Sequence, residues 1–139
     1  GSEMCIRDSM YVVSKKHPMA KKKCMTIEDF RDENLLMFNV DSVQNELLKN
    51  RFDQLKLNPR IIMRSSQLYT TLKFIDNGSC GCFLFSDMLP HFKQYKGIPL
   101  EPPIDVNIGI VWKKGNFLSH SAQLFIDFAM QYCSENITT

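Results

Sequence analysis

Leu35-Leu36-Met37-Phe38, Ile61-Ile62-Met63 and Cys82-Phe83-Leu84-Phe85 share one rhythm between Asn34 and Ser86. Each is a short apolar run that ends in small polar residues and is followed by a helix-like segment. Runs without polar alternation suit strands buried on both faces, as in a parallel sheet. The order strand–helix–strand–helix–strand is that of an open α/β fold. Ligands in such folds sit beyond the carboxyl ends of the strands. Those ends here carry Asn39, Asp41 and Ser42, then Ser65 and Ser66, then Ser86 and Asp87, where helix N-termini offer free backbone N–H groups.

Outward from this centre, Asp41 or Ser42 caps a helix whose Val43, Leu47, Leu48, Phe52 and Leu55 share one face, and Asn58-Pro59 stops it. Leu68, Leu72 and Ile75 mark a second amphipathic helix, closed at Asn77-Gly78. Met88 to Tyr95 reads as a short helix. Ile98 to Pro103 reads as an extended crossover, because its prolines bar a central strand. Val106, Ile108, Ile110 and Trp112 alternate with Asn107, Gly109 and Val111 as a period-two strand. Ser119 starts a last helix with Ala122, Phe125, Ala129 and Tyr132 toward a core. Upstream, Met10 to Val13 is a strand and Thr26-Ile27-Glu28-Asp29 a helix start. Lys21-Lys22-Lys23 reads as a solvated turn, since no aromatic residue is interleaved.

The chain has 139 residues, enough for one domain with a real core, at 44% hydrophobic and 23% charged. A net charge of +2 does not by itself point to a nucleic-acid or membrane surface. No run reaches the roughly 20 apolar residues of a membrane span. Five cysteines without scaffold spacing read as free thiols of a reducing cytoplasm. Residues 1–9 have neither periodicity nor the apolar core of a signal peptide, and resemble translated sequencing-adapter read-through. They are set aside as a non-native leader, which makes the chain the C-terminal part of a longer protein.

His17-Pro18-Met19-Ala20, Thr26 to Phe30, Asn77 to Phe85, Ile98-Pro99-Leu100, Ile108 to Lys113 and Leu118 to Phe128 resemble, in this order, elements of LysR-type transcriptional regulators. The resemblance covers about Met10 to Cys133. It implies an effector-binding domain (10–135) with a periplasmic-binding-protein-like (type 2) two-lobed fold. The second lobe, about 16–97, would be complete, and 99–135 would return to a partial first lobe. It further implies a cytoplasmic, non-enzymatic sensor that binds a small-molecule effector, forms homo-oligomers when full-length, and meets DNA only through a helix-turn-helix absent from this chain. The side-by-side contact would use the helix after Ser42 and the strand that follows. The family's glycine pair is spaced differently here, as Gly78 and Gly81. A transport-associated solute-binding protein is the first alternative, and a small α/β enzyme the second.

Ser65 and Ser66 stand where family members place a hydroxyl facing the effector, and Ser42 stands at the neighbouring helix start; Asn39 is the fourth candidate. Their chemistry suits hydrogen bonding to an anionic ligand group, although serines here would also act as plain N-caps. Arg64 is expected on the strand face opposite Ile61, Met63 and Ser65, in a structural salt bridge. Cys80 and Cys82 lack metal or redox spacing, and His17, His91 and His120 are scattered, so neither a metal nor a cofactor is expected. No motif of nucleophilic catalysis is present.

Overall fold

The three apolar runs are neighbouring parallel strands. The computed structural model describes residues 2–39 and 41–136, with Gly1 outside the described residues. The elements are β1 (Ser2–Ser14), β2 (Asn34–Phe38), α1 (Val43–Gln54), β3 (Arg60–Ser65), α2 (Leu68–Ile75), β4 (Gly81–Phe85), β5 (Tyr95–Pro99), β6 (Asp105–Val111) and α3 (His120–Asn136). The sheet runs β3-β2-β4-β1-β5, with β6 also paired to β1. β2 is parallel to β3 and β4, while β1 is antiparallel to β4 and β5. The chain divides into two compact units, Asp8–Asp105 and Gly1–Arg7 with Val106–Thr139.

Within the larger unit, alternate strand residues feed two cores. Tyr11, Val13, Leu35, Met37, Phe83 and Ile98 pack with Leu48 and Phe52 of α1 on one face. Val12, Leu36, Cys82, Leu84 and Tyr95 pack with Leu72 and Ile75 of α2 on the other. Full burial of each large side chain is worth about 1.5–3 kcal/mol, so both helices are held by packing. β2 and β4 are central, as their apolar runs predict. β3 is not: it is the edge strand, and Ile62 is 53% exposed. A bulge explains the difference. Leu35 lies opposite Ile61 but Leu36 opposite Met63, so Ile62 is the extra residue and the strand changes phase there. Ile61 packs with the α1-side core and Met63 with the α2-side core. Arg64, opposite Met37, therefore stands on the side of Ile61, not on the face opposite it.

Several ends differ from the sequence reading. Residues 2–9 do not stand apart: they belong to β1, where Ser9 pairs with Phe85 and its N–H donates to the Ile104 carbonyl at 2.9 Å. The segment after β4 is a 3-10 turn, Ser86–His91. Tyr95–Pro99 is a strand, and it stands at the sheet edge where its proline costs no interior ladder bond. On α1, Leu48 and Phe52 are buried as predicted, but Val43 and Leu55 are exposed and Gln44 is buried. On α3, the Ser119 hydroxyl accepts the Ala122 N–H at 3.1 Å, while Phe125 and Tyr132 are exposed and Ile126 is buried. The inner stripe is Ala122, Ile126, Ala129 and Cys133, which keeps the two alanines and takes Ile126 and Cys133 in place of Phe125 and Tyr132. Cys24, Cys80 and Cys82 are free thiols, whereas Cys133 is disulfide-bonded, against the expectation of free thiols throughout.

Candidate functional site

The carboxyl ends of β2 and β3 are level, with Phe38 opposite Ser65. Beyond them the chain is pinned by local hydrogen bonds. The Asn39 N–H donates to the Ser65 carbonyl at 3.0 Å, which brings these two candidates together. The Asn45 side-chain amide donates to the Phe38 carbonyl at 2.9 Å. Ser42 is the N-cap of α1: its hydroxyl oxygen accepts the Asn45 N–H at 3.2 Å. The Ser65 hydroxyl oxygen accepts the Gln67 N–H at 3.1 Å. Each of these oxygens is thus engaged as an acceptor by the backbone, which leaves the hydroxyl proton to be donated outward. Ser66 is exposed and caps nothing. The N-cap of α2 is Gln67, whose side chain makes no capping bond, so the expected serine cap of this helix is absent.

Asn39 and Ser42 also line an open groove of ≈ 770 Å³ between α1 and the β3 edge, which Ser65 and Ser66 do not line. Its floor is apolar, from Leu35, Met37, Leu48, Phe52 and Ile61; its charged residues are Asp41, Glu46, Lys49, Asp53 and Arg64. Lys49 and Asp53 pair at 3.3 Å. The salt bridge expected of Arg64 does not form among the described residues, because the bulge at Ile62 turns it to this groove. Asn45, which the sequence reading passed over, is the organising residue here. Its signal was its place three residues after Ser42, where a backbone N–H meets a capping hydroxyl.

A second polar cluster lies behind the strands. Tyr11 donates its hydroxyl to Glu33 Oε2 at 2.8 Å, and His17 Nε2 stands 3.1 Å from the same oxygen. The Met19 N–H donates to His17 Nδ1 at 3.0 Å, so the ring proton of this histidine sits on Nε2. Burial, then the Glu33 charge, push the Tyr11 hydroxyl far above its ordinary range and keep it a donor. Burial pushes the Cys82 thiol up to about 12 and raises Cys80, so both are inert apolar fillers. Among the described residues no three His, Cys, Asp or Glu side chains gather as a metal site, and no helix is long and apolar enough to cross a membrane.

The model of the LysR substrate binding domain family matches residues 3–134. The uncharacterized HTH-type transcriptional regulator YybE of Bacillus subtilis is 25% identical over 125 residues, covering 88% of this chain and 42% of the relative. This chain therefore spans less than half the length of that relative. The effector binding domain of QuiR in complex with shikimate superposes with a TM-score of 0.74 at 20% identity, over 99% of this chain and 68% of that one. The Synechocystis PCC6803 CcmR regulatory domain in complex with 2-PG gives 0.75 at 16% identity, over 95% and 67%. These likenesses establish the periplasmic-binding-protein-like type 2 fold.

Proposed function

This chain belongs to the LysR substrate binding domain family, and from that premise we propose that it is the effector-sensing part of a transcriptional regulator. Its ligand is a small molecule with an anionic, hydrogen-bond-accepting group held at the carboxyl ends of β2 and β3. The observation that carries this reading is the state of the two hydroxyls. Ser42 and Ser65 each accept a backbone N–H, which leaves the hydroxyl proton to be donated to a ligand. Such a pair suits a ligand that accepts hydrogen bonds, such as a carboxylate. The N-termini of α1 and α2 add partial positive charge in the same sense. Asn39 and Ser66 flank the pair and complete the ligand set. Shikimate, the ligand of QuiR, is a carboxylate of this class.

Binding here acts as a switch without turnover. A ligand that prefers one arrangement of the effector-binding domain shifts its population, and the shift reaches DNA through a helix-turn-helix carried elsewhere in the full-length protein. The larger unit of this chain is the second lobe, and the smaller is part of the first. The outer surface of α1 and β3, where Val43 and Ile62 are exposed, is the face that meets another copy of the regulator in the cytoplasm.

The test is a titration of the full-length regulator with small carboxylates, read as a change in operator binding. Ser65→Ala and Ser42→Ala should each weaken the response by about 0.5–1.5 kcal/mol, or up to about 3 against a charged group. Operator affinity without ligand should stay as it was. Unchanged titrations in both variants would remove these residues from the site.

A further inference from the structure

We propose that the groove between α1 and the β3 edge is a second ligand site, for an α-amino acid with a large apolar side chain. Its volume of ≈ 770 Å³ is that of a small-molecule pocket. It borders the strand-end site at Asn39 and Ser42, but Ser65 and Ser66 take no part in it. Along its length the groove is apolar: Ile61 and Leu57 are half-buried there, over the packed Leu35 and Met37. Lys49 and Asp53, on the α1 side, neutralise each other at 3.3 Å.

The remaining charges gather at one end. Arg64 lies opposite Met37, one residue before the carboxyl end of β3; Asp41 lies in the turn that leads into α1, and Glu46 in the first turn of that helix. All three are exposed, and none has a side-chain hydrogen bond or ion pair among the described residues. Arg64 reaches the groove only because of the bulge at Ile62; a regular strand would send it to the α2 side. Bulges recur beside binding sites because they re-aim a side chain. The charges then set the ligand. A guanidinium takes a carboxylate as a fork, and two carboxylates take an ammonium. A purely anionic ligand would face Asp41 and Glu46, and a purely cationic one Arg64. An α-amino acid carries both charges on one carbon, which fits charges gathered at one end. Its side chain then lies along the apolar length, where an aromatic ring buries the most surface.

The experiment is isothermal titration calorimetry of the 139-residue chain with L-tryptophan. Indolepropionate, tryptamine and glycine run beside it; they lack the ammonium, the carboxylate and the apolar body. Tryptophan should bind saturably with a Kd of about 1 mM or tighter. Indolepropionate and tryptamine should each bind about 10-fold more weakly or worse, and glycine not measurably. Arg64→Gln should remove the advantage of tryptophan over tryptamine, and Asp41→Asn/Glu46→Gln its advantage over indolepropionate. Both variants alter exposed side chains and are matched to the parent by circular dichroism, and the analogue series on the unaltered chain is an independent reading. No saturable tryptophan binding up to about 10 mM would overturn the proposal, as would advantages that survive in both variants. Sedimentation that finds the parent dimeric and Arg64→Gln monomeric, with no effect of tryptophan, would give the groove to a second copy and also overturn it. The carboxylate titration reads operator binding by the full-length regulator and this one reads direct binding to the chain, so the two readings fail separately.

Discussion

Replacing Gly81 by alanine should be among the most damaging small changes in this chain. Gly81 opens β4 opposite Val13 of β1. A Cβ there would stand 2.5 Å from Tyr11 Cζ and 2.6 Å from both Cε2 and the hydroxyl oxygen. Tyr11 cannot retreat. It is fully buried, with its ring 4.8 Å from Phe30 edge-on and 5.4 Å from Phe83. Its hydroxyl is committed to Glu33. Overpacking of this kind costs about 1–3 kcal/mol. Pulling the hydroxyl from a carboxylate it alone shares with His17 removes about 1.5–3 more. The sum is about 2.5–6 kcal/mol, a fall of at least about 10 °C in the melting of the larger unit. Near-ultraviolet circular dichroism, which reports the Tyr11, Phe30 and Phe83 cluster, is the natural probe. Gly97→Ala is the control: its added Cβ meets the flexible end of the Leu89 side chain, which can swing away, so its loss should be smaller. Gly81→Ala/Tyr11→Leu should cost less than the two changes summed, since the clash is shared. A melting point for Gly81→Ala within about 2 °C of the parent would refute the reasoning.

Two further outcomes follow from the same frame. Arg51 donates to the Pro102 carbonyl at 3.1 Å and the Pro103 carbonyl at 2.8 Å, tying α1 to the segment between β5 and β6; Arg51→Ala should cost about 1–2 kcal/mol in urea unfolding, and Arg51→Lys should not restore it, because one ammonium cannot span both acceptors. Tyr95 donates to Asp76 at 2.6 Å, and burial, then this bond, push its hydroxyl up to about 12 from 10.0. A raised folded value means stability that is complete below the unfolded value and lost as pH rises through the folded one, so melting temperature should fall between about pH 10 and about pH 12. In Tyr95→Phe that fall should be shallower, and an identical alkaline profile would count against the assignment.

The parallel centre was legible because β2 and β4 are apolar on both sides, and only a strand covered by helices on both faces needs that. β3 has the same composition but lies at the edge. Its one bulge, at Ile62, reverses the alternation and sends Arg64 to the side of α1, and nothing in Arg-Ile-Ile-Met-Arg-Ser distinguishes a bulged edge from a buried centre. The inner face of α3 was misread for a related reason: Phe125 and Tyr132 are the larger apolar residues, yet the inner stripe is Ala122, Ile126 and Ala129. Size misled where spacing alone was ambiguous. Ser42 is legible as a capping residue and Ser65 as a strand end, since both roles follow from local chain direction. What chain direction does not reveal is which lone pairs are already taken. The Asn45 and Gln67 N–H groups each take one lone pair of a serine oxygen, which turns the hydroxyl proton outward for donation. The donor role we propose for the two serines therefore rests on backbone hydrogen bonds two or three residues downstream of them, and a sequence pattern that marks the serines alone is blind to it.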